Sequence, residues 1–119
     1  MRVLWTVSKY IPGTNAKCRN EEARKMLFKP LDMTATTITF DGKECSNVTF
    51  KKEKVNAEDY LKEVFHVTPQ LLDIEDETIE VIKTTCNLPG FVEYFRLSDR
   101  RLVIYINGVF FYLEPAVNY

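Results

Sequence analysis

The sequence lacks the motifs by which common enzymes and nucleotide-binding proteins are recognised. It contains one histidine and four glycines, and they form no phosphate-binding loop, no dinucleotide fingerprint and no zinc-protease motif. A nucleophile elbow is absent as well. We therefore expect neither a cofactor nor enzyme activity, and a barrel pocket that uses His66 or Glu93 for catalysis is the least favoured hypothesis.

The chain also lacks an excess of charge of either sign. Its formal net charge is -1, which removes the broad electrostatic attraction on which nucleic-acid binding depends. The one dense basic cluster, KKEK at residues 51–54, is interrupted by Glu53 and is typical of a solvated strand end. We therefore predict that no nucleic acid is bound.

Long apolar runs are missing too, because no run approaches the roughly 20 residues that a membrane-spanning helix needs. The apolar part of the amino-terminal stretch MRVLWTVSKYIPG is too short for a signal peptide, and no small-residue cleavage site follows it. We expect a protein that does not span a membrane. It would be periplasmic or secreted if a signal peptide has been removed ahead of Met1, and cytoplasmic otherwise.

Cysteines are few, and Cys18, Cys45 and Cys86 match neither a zinc pattern nor a Cys-x-x-Cys redox motif. Three buried thiols are one interpretation. The other is a disulfide between Cys45 and Cys86, since both lie at ends of predicted strands. The enclosed loop of about 40 residues would then contribute about 4 kcal/mol by the chain-entropy estimate.

What is present is a series of short strands with two helices. Alternating apolar residues predict strands, and capping residues Asn20 and Asn56 predict the starts of the helices. The second helix carries an apolar stripe of Tyr60, Leu61, Val64 and Phe65, and it ends near His66. The strands predicted in this way are residues 2–10, 33–40 (with a bulge near Thr36), 46–50, 71–74, 78–86 and 91–97, followed by a terminal hairpin.

This order predicts a single domain, residues 1–119, of the mainly β class. A small antiparallel meander barrel with two short helices is the favoured architecture, because closure leaves no unpaired edge. The alternative is an open α+β roll, in which a helix packs on a curved antiparallel sheet.

The terminal hairpin, RLVIYINGVFFYLEP, is apolar on both faces. A type I′ turn at Asn107 and Gly108 would set its register. One face would be mainly aliphatic and belong to the core, and the other would carry Tyr105, Phe110 and Tyr112. That aromatic face is covered either by the second helix or by a partner, which includes a second copy in a homodimer.

One carboxylate lies among apolar neighbours. Alternation places Glu93 on the face of Phe91 and Phe95, with Arg96 on the opposite face. A buried carboxylate needs a partner or a raised pKa. Glu93 is therefore either a solvated residue near the barrel mouth or an acid that orients a ligand.

The early Trp5, the segments LWTVSKYIPG, ITFDGKEC and DRRLVIYINGVFFYL, and the closing meander resemble small bacterial lipocalin-like proteins of the cell envelope. The lipocalin Gly-x-Trp motif is replaced here, because Val3 stands at the glycine position. The resemblance implies a barrel, an exported setting and binding instead of catalysis, and it identifies no ligand residue.

These observations favour a non-catalytic binding module, an exported lipocalin-like barrel. It would bind a protein partner or a small apolar ligand, with Trp5, Glu93, Tyr105, Phe110 and Tyr112 as candidate contact residues. The alternative is an immunity or inhibitor protein that blocks a toxin or a cell-wall hydrolase by presenting a loop or a sheet edge.

Overall fold

The computed structural model describes residues 3–13 and 20–116, and nine strands and two short helices lie in that part of the chain. The strands are β1 (Val3–Pro12), β2 (Pro30–Met33), β3 (Ile38–Phe40), β4 (Lys43–Cys45), β5 (Phe50–Asn56), β6 (Thr78–Thr84), β7 (Glu93–Arg96), β8 (Leu102–Ile106) and β9 (Val109–Pro115). The helices are α1 (Asn20–Lys25) and α2 (Ala57–Phe65). Neither helix is long and apolar enough to cross a membrane.

All nine strands form one antiparallel sheet in the order β4-β3-β2-β1-β9-β8-β7-β6-β5. The sheet curls into a half-barrel, so the predicted mainly β architecture with two short helices is confirmed. The two ends of this order, β4 and β5, do not pair with each other. Hydrogen bonds between described strands therefore do not close the sheet as expected, and neither edge pairs with a further strand in the part of the chain that the structure describes.

The curled sheet separates two apolar clusters. The concave face buries the larger cluster, to which Trp5, Ile82, Tyr94, Leu102 and Phe111 belong. The convex face buries a second cluster under α2 and the segment of residues 67–74, and this cluster contains the α2 residue Leu61. Because both faces are covered, the strands in the middle of the sheet are apolar on both sides.

The terminal hairpin has the predicted register. Ile106 lies opposite Val109 and Leu102 opposite Leu113, and Asn107 and Gly108 both have positive φ, at 51° and 84°. Such angles are those of a type I′ turn, which asparagine and glycine adopt at low cost. The prediction of a hairpin with two apolar faces is confirmed.

Helix α2 begins at the predicted cap. The side-chain Oδ1 of Asn56 accepts a hydrogen bond from the backbone N–H of Asp59 at 3.0 Å, as an N-cap residue does. The helix ends at His66, whose backbone is left-handed with φ 57°. The exposed His66 thus lies at the helix C-terminus, as the sequence predicts.

Three strand predictions were wrong in detail. Residues 33–40 form the ends of β2 and β3, with a turn between them in place of a bulge at Thr36. The turn is closed by the hydroxyl of Thr34, which accepts a hydrogen bond from the backbone N–H of Thr37 at 3.0 Å. Residues 71–74 are a turn as well. The return strand after Asp41 is β4, and residues 46–49 connect it to β5.

The predicted disulfide between Cys45 and Cys86 is present, with the Cα atoms 5.6 Å apart. Cys45 ends the edge strand β4, and Cys86 follows β6, which is the neighbour of the opposite edge strand β5. The bridge therefore joins the two edges of the half-barrel covalently. Cys18 lies outside the described residues.

Candidate functional site

A groove of about 420 Å³ lies along the edge strand β5, across from the β2–β3 turn. On one side lie residues of the β2–β3 turn, and on the other lie residues of the edge strand β5. We call it the edge groove, and its wall consists of Trp5, Met33, Thr34, Ala35, Phe50, Lys52, Ile82, Tyr94, Arg96 and Leu102.

Strand alternation explains why these side chains meet. Lys52 of β5 lies opposite Ile82 of β6, and Ile82 lies opposite Tyr94 of β7. Arg96 follows Tyr94 by two positions, so it lies on the same face. In the other half of the sheet, Trp5 of β1 lies between β2 and β9, and its side chain is on the same concave face.

Four buried side chains form the floor of the edge groove. Trp5, Ile82, Tyr94 and Leu102 are each less than a tenth exposed. Burial raises the pKa of the Tyr94 phenol above its ordinary value, so the hydroxyl stays protonated near neutral pH, and it lies 3.9 Å from the sulfur of Met33. Among the described residues, the indole Nε1 of Trp5 has no hydrogen-bond acceptor. The floor is thus apolar, with one buried donor left unpaired.

Two cationic side chains lie at the rim. Lys52 is exposed and Arg96 is partly buried. None of the ion pairs found in residues 3–13 and 20–116 involves either of them. The edge groove therefore combines an apolar floor with two cations that form no ion pair with a carboxylate of the described residues.

The other depressions on the described surface have different walls. One beside β5 is lined mainly by charged residues, among them Lys51 and Lys83. Another lies over the acidic residues Asp73 and Glu75. A depression at Met26 has a volume of about 160 Å³, below the usual range of roughly 300–1,000 Å³ for ligand sites. The edge groove is the depression among these that joins sufficient volume to an apolar floor.

The structure separates the candidate contact residues into two groups. Trp5 lies in the floor of the edge groove. Phe110 and Tyr112 are fully buried in the convex cluster, and Tyr105 is partly buried against it. The ring of Phe65 from α2 covers Tyr105 and Phe110, with centroid distances of 4.8 Å and 5.2 Å. Nothing in the described structure supports use of this aromatic face by a partner or a second copy.

Tyr112 is fixed by several neighbours on the convex side. Its hydroxyl donates a hydrogen bond to the backbone carbonyl of Leu72. The Lys9 ammonium lies 4.6 Å from the ring centroid, and the Arg101 guanidinium lies 5.4 Å from it, distances at which cation–π attraction contributes. Burial raises the pKa of the Tyr112 phenol. These contacts give Tyr112 a structural role that joins the sheet to residues 67–74.

Glu93 also lies on the convex side, beside α2. Its carboxylate accepts a hydrogen bond from the hydroxyl of Tyr60, and the Lys83 ammonium lies 4.0 Å from it. Burial and, next, this hydrogen bond to the carboxylate raise the pKa of Tyr60. The Glu93 side chain is 32% exposed. It therefore has partners of its own, and it does not line the edge groove.

Replacement of Glu93 by glutamine is expected to lower the free energy of unfolding by about 1 kcal/mol, because a neutral acceptor binds the Tyr60 hydroxyl less strongly than a carboxylate does. Urea unfolding measures the change. Tyr60→Phe removes the same hydrogen bond, so the two effects should not add in the double variant. Altered ligand binding with unchanged stability would show instead that Glu93 contacts a ligand.

The chain matches no protein-family model, no curated protein and no solved structure. The resemblance to lipocalin-like envelope proteins thus stays a prediction. No group of three or more His, Cys, Asp or Glu side chains that could hold a metal occurs among the described residues. The geometry of the edge groove is therefore the basis for any functional conclusion.

Of the residues that line the edge groove, Trp5 is the one that was predicted as a contact residue. Lys52 belongs to the KKEK cluster, which resembles an ordinary solvated strand. Tyr94 and Arg96 were placed on the face away from Phe95, but that face is the concave interior. Tyr94 and Arg96 at alternate positions of β7 were the available signal. The position of Lys52 on β5, with β6 between the two strands, could not be read from the sequence.

Proposed function

We propose that the protein is a non-catalytic binding module that holds a small apolar ligand in the edge groove. The composition of the groove carries this proposal, because buried aromatic and aliphatic side chains face an opening to the surface. Its volume of about 420 Å³ falls within the range of roughly 300–1,000 Å³ that is usual for small-molecule sites. Such sites combine a mainly apolar wall with a few polar groups that orient the ligand.

An exported setting agrees with this function. Disulfides persist in oxidising compartments, and the Cys45–Cys86 bridge links the regions of the two sheet edges. We therefore propose that the module acts in the periplasm or outside the cell. The resemblance to lipocalin-like envelope proteins implies the same location and a binding role.

The inhibitor hypothesis has less support. An inhibitor of this kind would insert a loop or a free sheet edge into an active site. The longer free edge is β5, and its exposed lysines, Lys51, Lys52 and Lys54, are residues that natural sheets use to prevent strand addition. We accordingly favour a small ligand over a protein target.

Trp5 is the single tryptophan of the chain, so its fluorescence reports on the edge groove directly. Decanol and decanoate that carry a bromine atom on the chain are suitable probes, because bromine quenches indole emission on contact. We expect saturable quenching of most of the Trp5 emission below the concentration at which either probe aggregates.

A matched control moves the reporter to the other side of the sheet. In the variant Trp5→Phe/Val64→Trp, the indole lies on α2, where Val64 is 45% exposed, and quenching should be lost. If neither probe quenches Trp5 saturably, or if both reporters are quenched equally, the proposed binding site is wrong.

A further inference from the structure

We propose that the ligand of the edge groove carries an acidic head group, which Lys52 and Arg96 bind while the apolar part of the ligand covers the floor. This inference rests on the proposed function. It follows from the charges at the rim of the groove.

The strand register gives the balance of charge at the rim. On the concave face of β5, β6 and β7 the acidic residue near Arg96 is Glu80, which lies opposite Arg96 on one side and Lys54 on the other. Glu80 forms no ion pair with either of them among the described residues. Lys52 and Arg96 line the edge groove, whereas Lys54 and Glu80 line the adjoining depression, to which Arg96 also belongs. Three cations on this face of the sheet thus accompany a single carboxylate, and the excess charge is positive.

The position of these cations suits a charged head group. Lys52 is exposed at the rim, whereas Arg96 is partly buried and follows the floor residue Tyr94 on β7. A guanidinium that is partly removed from water binds a carboxylate or a phosphate through two parallel hydrogen bonds. Neither Lys52 nor Arg96 has an ion-pair partner among the described residues, so an anionic head group would supply the counter-charge that both of them lack there.

Neutral and cationic amphiphiles offer less to this site. An alcohol leaves both cations without a counter-charge, and a quaternary ammonium is repelled by them. The groove would therefore select an anionic head group over other head groups on the same chain. Carboxylate and phosphate share the required chemistry, and a direct comparison of the two distinguishes them.

The test compares the affinities of decanoate, decyl phosphate, decanol and decyltrimethylammonium for the intact disulfide-bonded protein, measured by Trp5 fluorescence and calorimetry. We expect at least one acid to bind about tenfold more tightly than decanol, a difference that corresponds to about 1.4 kcal/mol. Higher salt should weaken binding of the acids and leave decanol unaffected, because exposed charges are screened.

Charge-removing variants identify the residues involved. Lys52→Gln and Arg96→Gln should each reduce acid binding severalfold without changing the affinity for decanol. Lys51→Gln is the matched control, because it removes the same charge from a neighbouring position on the same strand. Lys51 does not line the groove. Thermal unfolding of each variant confirms that the fold is intact.

The outcomes separate the two proposals. The head-group inference would be wrong if the acids and decanol bind equally, or if the Lys51 and Lys52 variants lose the same amount of affinity for the acids. Either result would leave the binding site in place. Failure of all four probes to bind would overturn the proposed function together with the inference. Stronger binding of either acid, lost only in the Lys52 and Arg96 variants, supports both and identifies the head group.

Discussion

Loss of the Cys45–Cys86 disulfide is expected to lower the free energy of unfolding by about 4 kcal/mol, a large part of the roughly 5–15 kcal/mol of a small domain. The bridged residues are separated by 41 positions, so the bond removes much chain entropy from the unfolded state. In the folded state, it is the covalent link between the regions of the two free edges, β4 and β5. Reduction should therefore destabilise the protein and loosen the wall of the edge groove.

Chemical unfolding with and without reductant measures this effect. The experiment is best done in a Cys18→Ser background, which prevents exchange with the third thiol. In the Cys45→Ser/Cys86→Ser variant, the unfolding midpoint should already be low and insensitive to reductant. If Cys18→Ser alone abolishes the response to reductant, the bridge in solution involves Cys18, and the assignment of the pair is wrong.

Elements with a local cause were predictable from the sequence. The hairpin turn at Asn107 and Gly108 follows from two residues that tolerate positive φ. The start of α2 follows from the Asn56 side chain, which caps the helix within three residues. The prediction of one strand over residues 33–40 was wrong because its local signal is ambiguous. Thr34 and Thr37 are typical of strands, and here their hydrogen bonds close a turn.

The candidate site was less predictable because it depends on the order of the strands. Strand β1 lies between β2 and β9, so Trp5 has Leu31 on one side and Pro115 on the other. Tyr94 and Arg96 reach the same face from the other half of the sheet. Composition and periodicity carry no information about such distant pairing, and the face of Tyr94 and Arg96 that was predicted to point outward is the concave interior.

The cover of the aromatic face of the hairpin was also not predictable from the sequence. Periodicity assigned Tyr105, Phe110 and Tyr112 to one face, as the register confirms. It left open whether a helix or a partner covers that face, since both are amphipathic surfaces of similar composition. The packing of Phe65 on this face answers the question for the isolated chain, and it makes the stability of the monomer depend on these rings.

Phe110→Ala is accordingly expected to lower the free energy of unfolding by about 3–5 kcal/mol, because truncation of a buried phenylalanine loses apolar burial and leaves a cavity. Phe110 is fully buried, and its ring centroid lies 5.2 Å from that of Phe65 and 4.7 Å from that of Tyr105. Denaturant unfolding of the monomer, confirmed by sedimentation, measures the loss.

Val64→Ala is the control on the same helix, since Val64 is 45% exposed and surface substitutions usually change stability by no more than about 0.5 kcal/mol. The two interpretations of the aromatic face predict opposite results. If the face were a docking surface, Phe110→Ala would leave the monomer nearly as stable as Val64→Ala does and would weaken self-association or partner binding instead. A large loss of stability in the Phe110→Ala monomer, with little change in the Val64→Ala control, shows that α2 covers the face from within the chain.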